Sequence, residues 1–139
     1  MEVISLQGPS NTGKSETIDI VYQMLLLNGY TQVPGAFIGP LGNPAMRDFL
    51  DVLQNGNNIV GIVSQGDYVI GANSLKNHLA KLFAAGCHKS ICACTIKAGT
   101  ISAVHTYKNV IIHKTIAAIP SLERIQNNID ATAIYNHVP

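Results

Sequence analysis

Apolar residues alternate along the chain between short continuous runs and stripes at helical spacing. Val3-Ile4-Ser5-Leu6 has the character of a short buried strand, and Thr17 to Leu27 then places Ile18, Val21, Tyr22 and Leu25 on one helical face before a stop at Gly29. Tyr30 to Ile38 is weakly extended and broken by Pro34 and Gly35. Asn43-Pro44 has the form of a cap and first-turn proline, which predicts a helix with Met46, Phe49, Leu50 and Leu53 inward, closed by Asn55 to Asn58. Ile59 to Val63 is a continuous apolar run of the kind found in strands covered on both faces. Ser74 is placed to cap a helix reaching Ala85, with Leu75, Leu79, Leu82 and Phe83 on one side and Gly86 at its end. Ser90 to Cys94 and Val110 to His113 read as further strands, and Pro120 opens a last helix to about Asn136 with Leu122, Ile125 and Ile129 inward.

Strand followed by helix, repeated, predicts βαβ crossovers. The expected fold is therefore α/β, a three-layer arrangement with a parallel sheet of about five strands and helices on both faces. Ligands of such sheets bind at the carboxyl ends of the strands. A length of 139 residues suits a single domain over 1–139. Apolar residues make up 47% and charged residues 12%, which predicts a compact globule with few surface charges. The formal net charge of +1 supplies no broad basic field, so neither nucleic acid nor an anionic membrane is an expected partner. Apolar runs such as Met24 to Leu27 fall far short of the roughly 20 residues needed to cross a bilayer. No signal-peptide series follows Met1, and Cys87, Cys92 and Cys94 are an odd number, so reduced thiols and a cytoplasmic location are expected. The glycine and proline between Val33 and Pro44 mark a surface loop and candidate substrate flap.

The chemistry concentrates at Gly8-Pro9-Ser10-Asn11-Thr12-Gly13-Lys14-Ser15, which satisfies G-x-x-x-x-G-K-[ST] between a strand and a helix. Gly8 and Gly13 allow backbone turns that side chains would obstruct, so that main-chain N–H groups of Ser10, Asn11, Thr12, Gly13, Lys14, Ser15, Glu16 and Thr17 can converge on phosphate oxygens at a helix start. Lys14 is expected to reach the β and γ phosphates and Ser15 to coordinate Mg²⁺. The Thr17 hydroxyl has two fates, a contact to the α phosphate or a bond to its own helix.

Mg²⁺ needs hard anionic oxygen, and the apolar run Ile59 to Val63 is followed by Ser64-Gln65-Gly66-Asp67. Asp67 is the candidate acid for metal or catalysis, against an acid in a Gly-Asp turn; Ser64 could hold a metal-bound water. Thr95 and Lys97, in the segment Cys94 to Thr100, form a candidate second phosphate contact on the same rim. Cys87-His88 and Cys92-x-Cys94 lack a fourth zinc ligand at a recognised spacing, and the five histidines, at 78, 88, 105, 113 and 137, form no nucleophile signature.

Gly8-Pro9-Ser10 followed by Gly13-Lys14-Ser15 resembles the loop of nucleotide kinases, notably guanylate kinases, within the P-loop superfamily. Val60-Gly61-Ile62-Val63-Ser64-Gln65-Gly66-Asp67, and Ile91 to Cys94 with Lys97 and Gly99-Thr100, are similar to segments of small bacterial and phage P-loop ATPase-like proteins. The resemblance implies that the three-layer fold is of the P-loop NTPase kind and that 1–139 is a single P-loop nucleotide-binding domain. It also implies Mg²⁺-dependent binding of ATP or GTP, ATP by analogy, with phosphoryl transfer to a small acceptor such as a nucleoside or nucleotide. The chain departs from nucleotide kinases in having only two arginines, Arg47 and Arg124, and no room for an acceptor-binding insertion. It also lacks an N-K-x-D base-reading motif. The alternatives are a slow NTPase or nucleotide-dependent switch acting through a partner or homo-oligomer, and a phosphate-binding protein with a structural role.

Overall fold

The computed structural model describes every residue from Met1 to Pro139. The strands are β1 (Glu2–Gly8), β2 (Thr31–Gln32), β3 (Leu50–Asn55), β4 (Asn58–Val63), β5 (Lys89–Thr95) and β6 (Lys108–His113). The helices are α1 (Lys14–Leu27), α2 (Leu75–Ala84), α3 (Ala98–His105) and α4 (Glu123–Tyr135), with single 3-10 turns at Pro44–Met46 and Pro120–Leu122. All six strands form one sheet in the order β2-β3-β4-β5-β1-β6. β4, β5, β1 and β6 are parallel, whereas β3 runs antiparallel to β4 and β2 antiparallel to β3. The sheet is thus mixed, in place of the all-parallel one expected.

Strand periodicity sorts the core into two layers. Ile4, Leu6, Ile91 and Ala93 pack with Ile18, Val21 and Leu25 of α1 and Ala131 and Ile134 of α4. Val3, Cys92 and Cys94 point the other way, onto Leu75, Leu79 and Leu82 of α2 and Val104 of α3. Full burial of each such Val, Leu or Ile side chain contributes about 1.5–3 kcal/mol. The Ser74 hydroxyl accepts from the Asn77 main-chain N–H at 3.2 Å and starts α2, and Gly86 past its end has φ +83°. No helix is long and apolar enough to cross a membrane.

Three expectations are corrected. Residues 43–58 are not a helix: one 3-10 turn is followed by β3, which pairs with β4 from Leu50↔Val63 to Asn55↔Asn58 around Gly56 at φ +58°. Phe49, just before β3, and Leu53 within it are buried as foreseen, but on the α1 face of the sheet to which β3 belongs, while Met46 is exposed. Leu122, Ile125 and Ile129 of the last helix face outward, and its buried face carries Asn127, Asp130, Ala131 and Ile134. Phe83 is likewise exposed. The segment from Val33 to Pro44 is a surface segment, as expected, and is held to the edge of β3 by Val33 N–H to Val52 O (2.9 Å), an Ile38–Leu50 bridge and Leu41 N–H to Asp48 O (2.7 Å).

Candidate functional site at the carboxyl edge of the sheet

β1 ends at Gly8, α1 begins at Lys14, and the connection between them curls around a cavity of about 290 Å³. Gly13 takes φ +88°, and Asn11, a non-glycine residue, takes φ +60°. Strain of that kind persists only where the surroundings impose it, and it clusters at functional positions. Gly8 serves a different purpose from Gly13: a Cβ there would lie 2.9 Å from Lys114 Cβ, so the close approach of β6 demands glycine.

No main-chain N–H from Ser10 through Glu16 makes a hydrogen bond to a protein acceptor. The first protein-bound one is Thr17 N–H, to Gly13 O at 3.0 Å. Unpaired donors at a helix start, all lining one cavity, suit an anion with several oxygens. Lys14 is 8% exposed, and its ammonium donates to Pro9 O. Burial pushes its pKa down, with Lys114 adding to that and Asp67, Cys94 and Glu16 opposing it. A buried cation held only by a neutral carbonyl is a strong attractor for negative charge.

The opposite wall is polar and acidic. Ser15 Oγ lies 3.3 Å from both Asp48 Oδ1 and Ser64 O. Ser64 Oγ donates to the same Asp48 oxygen at 2.9 Å and accepts from Phe49 N–H at 3.0 Å. Burial raises the pKa of Asp48, Asp67 and Glu16 push it the same way, and hydrogen bonds from Ser64 and Ser15 counter it. A desolvated carboxylate among hydroxyl and carbonyl oxygens, next to Ser15, is a donor set that fits Mg²⁺. No group of three or more His, Cys, Asp or Glu side chains is placed to hold a metal ion alone, so a cation here would need ligand oxygens as well.

Of the residues singled out from sequence, Ser10, Asn11, Thr12, Gly13, Lys14, Ser15, Glu16, Asp67 and Thr95 all line this cavity. Asp67 is exposed, and its Oδ1 accepts from Gly66 N–H at 3.2 Å. Position 66 admits only glycine, because a Cβ there would fall 1.7 Å from Ala93 O. Thr17 is fully buried and its hydroxyl donates to Gly13 O at 2.8 Å, the second of its two fates. Lys97 is exposed outside the cavity wall and donates to Asp67 O at 2.8 Å. The three cysteines are unpaired and buried in the core.

Two site residues escaped sequence reasoning. Asp48 enters from the segment before β3, and Glu123 from the start of α4. The readable signal for Asp48 was Asn55-Gly56-Asn57-Asn58 between two apolar runs, a hairpin cue that turns the preceding run into a strand and brings its start to this rim.

Fold and site together define an α/β protein with an anion-suited glycine loop at the carboxyl edge of a mixed sheet. Compared with protein-family models, curated proteins and solved structures, the chain gives no match in any of the three.

Proposed function

We propose that the chain binds a Mg²⁺-complexed purine nucleoside triphosphate, ATP or GTP, at Gly8–Ser15 and passes its terminal phosphoryl group to a small acceptor. The observation that carries this is the unbroken run of unpaired N–H donors from Ser10 to Glu16 around a cavity that also contains the buried Lys14 ammonium. Hydrogen bonds to charged groups contribute about 1.5–3 kcal/mol each, and a polyphosphate is the ligand that uses many at once.

On this reading Lys14 leaves Pro9 O for the phosphate oxygens, where its charge is stabilised. Ser15 and Asp48 hold the Mg²⁺ side of the cavity, and Asp67, exposed on the same wall, orients the acceptor hydroxyl. Bound Mg²⁺ supplies charge neutralisation of the transferring phosphates. Three reduced thiols fit a cytoplasmic setting.

The test is thermal unfolding with Mg-ATP or Mg-GTP on wild type and Lys14→Ala. A nucleotide at about 100 times its Kd stabilises by about 2.7 kcal/mol, a shift of several degrees for a domain of this size. The Lys14→Ala chain should lose that shift. No shift with either nucleotide at millimolar concentration sinks the proposal. ADP or GDP formation that rises with added nucleoside or nucleotide would identify the transfer step.

A second reading, a slow NTPase or switch that depends on a partner or a second copy, is favoured by one fact: neither Arg47 nor Arg124 lines the cavity. Transition-state charge would then be met from another chain. Mixing Lys14→Ala with wild-type chains separates the two, because activity strictly proportional to wild-type content leaves no contribution in trans.

A further inference from the structure

The polar cavity is one half of a longer cleft. Beyond Asn11, Thr12 and Glu123, which line both halves, lies a second cavity of about 190 Å³ whose remaining wall is the segment from Ile116 to Pro120. The two halves differ in chemistry. The first is built of main-chain amides, hydroxyls and charged groups, and the second is walled by Ile116, Ala117, Ala118, Ile119 and Pro120, with no polar side chain among them.

Ile116 is 64% exposed and Ile119 52% exposed. A lone exposed isoleucine needs no explanation, but two that flank small residues along a concavity continuous with a polar site form a binding wall. The shelf is held at both ends. Upstream, Thr115 gives both its main-chain N–H and its hydroxyl to Asp130, each at 2.8 Å, and downstream Pro120 enters the turn that leads into α4. Between these anchors no N–H from Ile116 to Ile119 donates within the protein.

Resting on the nucleotide reading above, we infer that this shelf is the subsite for the nucleobase. The order of a nucleotide, phosphates then sugar then flat ring, matches the order of the cleft, donors then junction then apolar shelf. Glu123 stands at the junction, with Oε1 3.2 Å from the position a Cβ on Gly13 would take. An ionised carboxylate only accepts hydrogen bonds, so its partners are the ribose hydroxyls and not the phosphates. The ring lies against Ile116, Ala117, Ala118 and Ile119. Without polar side chains on the shelf, the base edge is met by main-chain groups alone, so contact area outweighs edge pattern. Purines are therefore preferred to pyrimidines, and adenine and guanine are separated only weakly.

The experiment measures binding of Mg-ATP, Mg-GTP, Mg-CTP and Mg-tripolyphosphate by calorimetry to wild type and to the double variant Ile116→Ser, Ile119→Ser. Both isoleucines are exposed, and unfolding without ligand checks that the variant retains its fold. ATP and GTP are expected to bind wild type at least about tenfold more tightly than tripolyphosphate, and within about threefold of each other, with CTP between. In the variant the nucleotides should weaken by about tenfold while tripolyphosphate is unchanged. ATP binding no tighter than tripolyphosphate, or an equal loss of both in the variant, overturns the subsite and leaves the phosphate site standing. So does a nucleotide advantage that the variant keeps. Failure of all four ligands to bind wild type overturns the phosphate site and the shelf together.

Discussion

Two aspartates flank the glycine loop, both almost fully buried, Asp48 at 5% exposure and Asp130 at 4%, yet their surroundings differ in kind. Asp130, on α4, meets the Lys114 ammonium at 3.0 Å and takes two further hydrogen bonds from Thr115. Its charge is balanced inside the fold. Asp48 has only neutral hydrogen-bond partners, the hydroxyls of Ser64 and Ser15, and burial raises its pKa. The first is a finished structural pair that fixes β6 to α4. The second is half of an ionic arrangement, open toward the cavity where we place a Mg²⁺-nucleotide. Sheet topology explains why both reach the same edge. Parallel strands present their carboxyl ends to it, whereas β3, running the other way, presents its start, with Asp48 just before it and opposite Ser64.

The largest expected effect lies on the structural side. Removing one partner of a buried ion pair costs about 3–5 kcal/mol, so Lys114→Ala should lower unfolding stability by that much in urea titrations, with or without nucleotide. A cost near zero would mean that Asp130 tolerates burial without its lysine, and the contrast with Asp48 would collapse. On the other side, Asp48→Asn removes a charge that has no cationic partner while keeping an acceptor for Ser64. Its unfolding stability without ligand should change by less than about 1 kcal/mol. The part of nucleotide affinity that depends on Mg²⁺ should fall roughly ten- to a hundredfold, the worth of one charged contact. Asp67→Asn, at an exposed position, is the control: a larger loss there than at Asp48 would reassign the metal side.

This asymmetry also decides what could be read from sequence. The glycine loop was legible because its chemistry is local: consecutive main-chain amides, one lysine and one serine, with strand and helix on either side. Asp48 was not, because an all-parallel sheet places the expected acid past the carboxyl end of β4, where Asp67 stands. Met46, Phe49, Leu50 and Leu53 happen to repeat at helical spacing, and pairing with β4 overrides that pattern. The last helix misled in the opposite sense. Its isoleucines make the more hydrophobic stripe, but the face carrying Asp130, Ala131 and Ile134 turns inward, because Asp130 meets Lys114 and the small Ala131 packs against the α1 layer. A buried polar anchor of that kind depends on contact with a distant strand, which no local period encodes.

A third buried group sharpens the contrast at smaller scale. His78 is fully buried against Gln65, with Nε2 2.9 Å from Oε1, and burial, aided by Lys81, lowers its pKa to about 4. Its pKa is therefore depressed from the ordinary 6.5, and the unfolded chain takes up the proton first as pH falls. Stability should drop by about 1 kcal/mol between pH 7.5 and 5.5, and His78→Gln should flatten that slope. An unchanged slope in the variant would show that the folded and unfolded chains protonate His78 alike, so that burial does not depress its pKa.

Asp48 predicts the opposite sign in the protein without ligand. A raised folded pKa means that the native state holds its proton more firmly than the unfolded chain, so the contribution is present at low pH and is lost as pH rises through the folded value. Mg²⁺ competes with that proton for the same carboxylate. The stabilisation that Mg²⁺ adds to bound nucleotide should therefore shrink on acidification in wild type, beyond whatever protonation of the phosphates themselves causes. Asp48→Asn, carrying no such proton, isolates the difference: its smaller Mg²⁺ increment should follow only the titration of the nucleotide. Parallel pH profiles for the two chains, compared as the change in Tm with and without Mg²⁺ at fixed nucleotide, would place the metal away from Asp48 and leave both buried aspartates as structural residues.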